Sequence, residues 1–190
     1  MTLISDRLSR FKPSLTVKIS QIAREMSRAG EHVISLSSGE PDFDTPLHIK
    51  ESAINAINSG FTKYTQVDGM PDLKMSIVNK FKDENKLIYT PSQITVGSGG
   101  KHVIYNLLMS TLNKNDEVII PSPYWVSYPD IVNLAGGKSV IVETKMHDNF
   151  KISAHQLQDS ITPKTKWFIL NSPGNPTGAV YTKKELIEIS

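Results

Sequence analysis

Four short apolar runs, "QITVG" (93–97), "EVIIP" (117–121), "SVIVE" (139–143) and "KWFILN" (166–171), alternate with longer segments, most of them helical in period. Runs that are apolar throughout, rather than at every second residue, belong to strands buried on both faces. Their alternation with helices predicts an α/β chain with a mostly parallel sheet covered on two sides. Upstream, Ile19, Ile22, Ala23 and Met26 recur at helical spacing and Gly30 stops the pattern. "VISLSSGEPDFDTP" reads as a short strand running into a loop. Asp44 or Thr45 then caps a helix with Pro46 at its first position, Ile49, Ala53, Ile54 and Ile57 as its buried stripe, and Gly60 at its end. Pro71 opens a further helix carrying Leu73, Ile77 and Phe81. "TKKELIEIS" begins with a capping box, Thr182 with Glu185, so the last residues are expected to be an interrupted helix.

Composition removes several functions. Twenty-one basic residues against 19 acidic ones, a formal charge of +2, leave no basic patch for nucleic acid. Cysteine is absent, which excludes disulfides and thiol catalysis, and the five histidines never fall at metal-ligand spacing. No run has the length or apolarity of a signal peptide or a membrane helix, so a cytoplasmic protein is expected.

Chemistry concentrates where strands end. In "TVGSGGKHVIYN" (95–106), glycines fill three of the four positions between Gly97 and Gly100, between a β-like run and a helix. Such a turn aims backbone N–H groups at one spot and adds the positive end of the helix dipole, so an anion, a phosphate above all, is its natural guest. The P-loop pattern fails at Thr95 and His102, and the dinucleotide pattern G-x-G-x-x-G fails at His102. "PSPYWVSYP" (121–129) and "NSPGNPTGAV" (171–180) follow two other strands and supply an aromatic face and amide side chains. Ligands of open α/β sheets sit outside the carboxyl ends of strands. Lys101, Trp125 and Asn175 together fit a flat heterocycle bearing a phosphate; singly, each has an ordinary reading as a surface lysine, a packing residue or a turn former.

"SGEPDFDTP", "KYTQVDGMPDLK", "VGSGGKHVIYN", "PSPYWVSYPDIV" and "NSPGNPTGAVY" closely resemble the class I aminotransferases of the aspartate aminotransferase type. The resemblance runs from about Leu8 to the last residue. It implies a fold-type I pyridoxal-phosphate transferase with a three-layer αβα large domain. Residues 1–45 would be the N-terminal arm and part of the small domain, and residues 46–190 the first portion of the large domain. It implies pyridoxal 5′-phosphate as cofactor, its phosphate on Gly99, Gly100 and Lys101, and Trp125 stacked on its ring. Asn175 would bond the ring hydroxyl and help hold the substrate α-carboxylate, which Gly39 meets with its main chain. Tyr64 would reach across a homodimer to the neighbouring phosphate, and Lys12 matches a lysine that accepts prephenate in one subgroup. Ser122-Pro123 and Asn175-Pro176 match the family's cis bonds.

The family's Schiff-base lysine, in an S-x-S/T-K segment, has no counterpart among these 190 residues. Neither do its ring-nitrogen aspartate, its second tyrosine or its carboxylate-clamping arginine. The resemblance therefore implies the first half of an enzyme that exchanges an amino group between aspartate or glutamate and a 2-oxo acid. No catalytic residue is expected in the 190 residues, and they are expected to be inactive alone. In the family's sheet the strand matching 94–97 lies apart from the next three, so "QITVG" would find no neighbour here. A β-lyase on the same scaffold, a non-catalytic association fragment and a glycine-turn nucleotide module are the competing readings.

Overall fold

A computed structural model describes residues 3–10, 15–37 and 39–190. Two compact units divide them, one of residues 100–190 with the turn Asp6–Arg10, the other of residues 15–99.

In the first unit, helix α4 (Gly100–Thr111) is followed by β1 (Glu117–Ser122), α5 (Ser127–Leu134), β2 (Lys138–Glu143), α6 (Ala154–Ser160), β3 (Thr165–Phe168) and α7 (Lys183–Ile189). The three strands are parallel in the order β2-β1-β3, with Ile119 opposite both Val140 and Phe168. Val118, Ile119 and Ile120 of the central strand have no exposed surface. Their alternate side chains serve two different cores. Val118 and Ile120 pack with Leu108 and Leu112 beside α4 and with Tyr128, Ile131 and Val132 of α5. Ile119 packs with Ile152, Leu157 and Tyr181 on the other face. Each such aliphatic side chain contributes about 1.5–3 kcal/mol by leaving water. The unbroken apolar run thus produces the expected three layers.

Polar residues fix the ends of this sheet. Glu117 is buried at the amino end of β1, where it accepts a hydrogen bond from Thr162 Oγ1 at 2.6 Å and pairs with Lys138 at 3.0 Å. Both partners hold its carboxyl below the usual range, Thr162 more strongly. At the other end, Thr144 Oγ1 donates to the Ser122 carbonyl at 2.6 Å. The expected capping box of α7 is present, with Glu185 N donating to Thr182 Oγ1 and Thr182 N to Glu185 Oε2.

The second unit carries α1 (Leu15–Arg28), α2 (Leu47–Asn58) and α3 (Pro71–Lys80). Expectations of local structure need correction at two places, residues 33–36 and Pro46. Residues 33–36 form no strand, and Ile34 and Leu36 are exposed. Residues 94–97, by contrast, behave as the resemblance implies for this half of the fold: they are extended, with Ile94 buried, and join no sheet. A strand exists only where a neighbouring strand takes its N–H and C=O groups in a ladder, and among the described residues neither segment has one; the Val96 N–H makes only a single bond, to the Asp68 carbonyl at 3.0 Å. Pro46 precedes α2 instead of opening it, with ψ 142, and no side chain caps that helix. Asp44 instead approaches Lys50 at 3.7 Å.

Candidate functional site

The parallel order of β1 and β3 puts both of their following loops at one edge of the sheet. After β1 the chain passes a cis Ser122-Pro123 bond into Tyr124 and Trp125; after β3 it passes Asn171 into cis Ser172-Pro173 and cis Asn175-Pro176 bonds. Two of these bonds match the sequence expectation, and the third, Ser172-Pro173, was not anticipated. Tyr124, Tyr128, Asn171 and Asn175 line one small cavity of about 30 Å³ between these loops.

Trp125 is half-buried and held edge-on against Tyr128, ring centres 5.3 Å apart at 87°. Burial pushes the Tyr128 phenol up, which keeps that support neutral. The Lys101 ammonium, from the first turn of α4, lies 4.9 Å from the centre of the Trp125 ring. The arrangement joins a cation, a helix N-terminus and an aromatic ring, the components that attract an anion attached to a flat ring.

Gly100 opens α4, and no atom would lie within 4 Å of a Cβ added there. Gly99, the residue before it, has φ +93 and the same open space, and its N–H donates to the Gly97 carbonyl at 2.8 Å. Packing therefore does not demand glycine at either position, although backbone conformation does at Gly99.

Asn175 is exposed, and its N–H donates to Asn171 Oδ1 at 2.8 Å. Asn171, absent from the sequence expectations, shapes this loop; an Asn four residues before another in a Pro/Gly turn is the signal that identifies it. In the second unit, Tyr64 is fully exposed and borders a separate cavity with Phe61, Gln66 and Met70. Gly39 also faces open space. Lys12 lies outside the described residues. Among the described residues no cluster of histidine and carboxylate side chains could hold a metal, and no helix is long and apolar enough to cross a membrane.

Comparison with known proteins puts this edge in context. Over 186 residues the chain is 59% identical to the aspartate/prephenate aminotransferase of Cereibacter sphaeroides, covering 98% of this chain and 46% of that protein. The structure of the Thermus thermophilus aspartate aminotransferase with maleate superposes at a TM-score of 0.96 and 45% identity, over 100% of this chain and 50% of that one. The aspartate aminotransferase from Rhizobium meliloti does so at 0.93 and 44%, over 100% and 47%. The chain thus spans about half the length of the relatives it matches. Its parallel, doubly covered sheet is the first part of their fold-type I architecture. Residues 31–190 match the family model for aminotransferase class I and II, and on that match and these identities the chain belongs to that family.

Proposed function

We propose that this chain is the N-terminal half of an aspartate-type aminotransferase subunit, exchanging an amino group between aspartate or glutamate and a 2-oxo acid, with prephenate as a further acceptor. The class I family generally depends on pyridoxal phosphate, and the residues here fit that group. Gly99 and Gly100 leave an open face at the start of α4, and a cation and an aromatic ring stand beside Gly100. The observation that carries the reading is the 4.9 Å approach of Lys101 to Trp125 at that helix end.

When bound, the cofactor supplies an electron sink that stabilises negative charge developing at the substrate Cα. The roles of this chain's residues are to bind and orient. The Gly100 N–H and Lys101, with the open turn at Gly99 beside them, take the phosphate, and Trp125 covers one ring face and excludes water. The Asn175 amide donates to the ring hydroxyl oxygen and to the substrate α-carboxylate, which Gly39 meets with its backbone. Tyr64 serves the phosphate of a neighbouring subunit in a homodimer, and Lys12 is assigned to acceptor choice. Residues 1–45 belong on this reading to the arm and small domain and 46–190 to the large domain. A cytoplasmic location accords with the amino-acid and oxo-acid substrates.

Absorbance titration of the full-length protein with pyridoxal phosphate, followed by a coupled assay with aspartate and 2-oxoglutarate, tests the proposal. Saturable binding and turnover are expected, and a polypeptide of residues 1–190 alone should show no turnover. A full-length protein that neither binds the cofactor nor transaminates would overturn it.

A further inference from the structure

Lys74, in the first turn of α3, is 7% exposed, and its ammonium is hydrogen-bonded to Asp68 Oδ2. An ammonium loses several kcal/mol of hydration on burial and repays it only through a well-placed partner. A methyl-ended side chain would fill the same space without that cost. The pair therefore calls for a role beyond packing, and Asp68 supplies one. Its carbonyl accepts the Val96 N–H at 3.0 Å, while its carboxylate is half-exposed and held below its usual range chiefly by Lys74. Gly69 beside it has φ +113, and a Cβ there would lie 2.7 Å from Val96 Cγ2. The chain is thus pinned at Asp68–Gly69 to α3 on one side and to residue 96 on the other.

Both continuations of this pin lead to residues assigned above to phosphate. Residues 97–99 follow Val96 directly, and Tyr64 lies four residues before Asp68 in the same loop. Resting on the cofactor reading above, we propose that Lys74 and Asp68 are positioning residues. Their ion pair sets the placement of the 97–99 turn and of the Tyr64 loop, and so the strength of phosphate binding. Neither touches the cofactor. Partners that orient metal ligands typically change affinity by about 10- to 100-fold when removed, and the lower end of that scale is expected of this pair.

The test compares pyridoxal phosphate with pyridoxal, which lacks the phosphate, in the full-length protein by absorbance or fluorescence titration. Lys74→Met should loosen pyridoxal phosphate by about tenfold and leave pyridoxal unchanged; Lys74→Arg should restore most of the loss. Asp68→Asn, which keeps the shape of the side chain and removes its charge, should reproduce the effect, and the double variant should add little to either. Variants that keep the wild-type ratio of the two affinities, or that weaken both ligands equally, overturn the positioning role. A wild-type protein that does not distinguish the two ligands overturns the cofactor reading itself, and the inference with it.

Discussion

The ammonium of Lys101 stands 4.9 Å from the ring centre of Trp125. Both come from segments that follow an apolar run in the sequence; the loop after β1 places Trp125, and α4, packed through Leu108 on the core it shares with α5, brings Lys101 to it. The chain has two tryptophans, and Trp167 is tied to Thr111 by a 2.9 Å hydrogen bond away from this contact. Trp125 emission, read as the difference between the full-length protein and its Trp125→Phe variant, should be quenched by pyridoxal phosphate. Adding Lys101→Met should weaken that ligand by about 1.5 kcal/mol, roughly tenfold, the worth of a hydrogen bond to a charged group. Unchanged affinity would mean that the lysine side chain serves only the indole, a contact worth about 0.5–1 kcal/mol at an exposed site.

Gly99 and Gly100 separate conformational from ligand demands. At Gly99, with φ +93, alanine should cost about 1–2 kcal/mol of stability whether or not cofactor is present. At Gly100 the backbone is not left-handed and α4 begins, so alanine should leave the melting temperature without cofactor unchanged or slightly raised. The same Gly100→Ala change should reduce the extra stabilisation that pyridoxal phosphate gives, because the new methyl group enters the open face. Thermal melts with and without the ligand read both effects. Equal stabilisation of Gly100→Ala and wild type would remove Gly100 from the phosphate site.

Acid sensitivity should trace in part to Glu185. Lys151, at 2.5 Å, and then the Thr182 backbone N–H hold its carboxyl at about 2, below the ordinary 4.5. A folded-state value below the unfolded one means that the contribution is present above about pH 4.5 and is lost as pH falls towards 2. Melting temperature should therefore decline across that window. Glu185→Gln should lower it at neutral pH and flatten the decline. Asp68, Asp116 and Glu117 are depressed as well and act in the same direction, so the difference between the two curves isolates Glu185. Parallel curves for the two proteins would assign the acid transition to those other carboxylates.

Features set by the nearest stretch of chain were legible in the sequence. The run Val118–Ile120 announced a buried strand and Thr182 with Glu185 a helix start, while the family resemblance picked out Ser122-Pro123 and Asn175-Pro176 as cis bonds. What depended on distant partners was not. Residues 33–36 carry a strand's composition but no neighbour's hydrogen bonds, and composition alone does not provide those. Lys74 follows Leu73 in an amphipathic helix and has the look of a solvated lysine. Only the approach of Asp68 and Val96 shows that it is buried. Asn171 was overlooked because its contribution, the 2.8 Å bond from Asn175, is a loop contact rather than a motif.

The unpaired segments lead to a prediction about residues 1–190 as a separate polypeptide. Ile34 and Leu36 are 77% and 94% exposed, and among the described residues nothing pairs with the outer edge of β2 or of β3 in the three-stranded sheet. Apolar side chains beside free backbone N–H and C=O groups are a template for pairing with another chain. The relatives that share this fold are about twice as long, and in them such surfaces have further chain available to cover them. Alone, the polypeptide should self-associate in a concentration-dependent way, and supplying the remaining half of the subunit should suppress that association. Light scattering with size-exclusion chromatography measures both. A monodisperse monomer that also binds no complementary half would show that these edges are protected by some rearrangement of the chain itself.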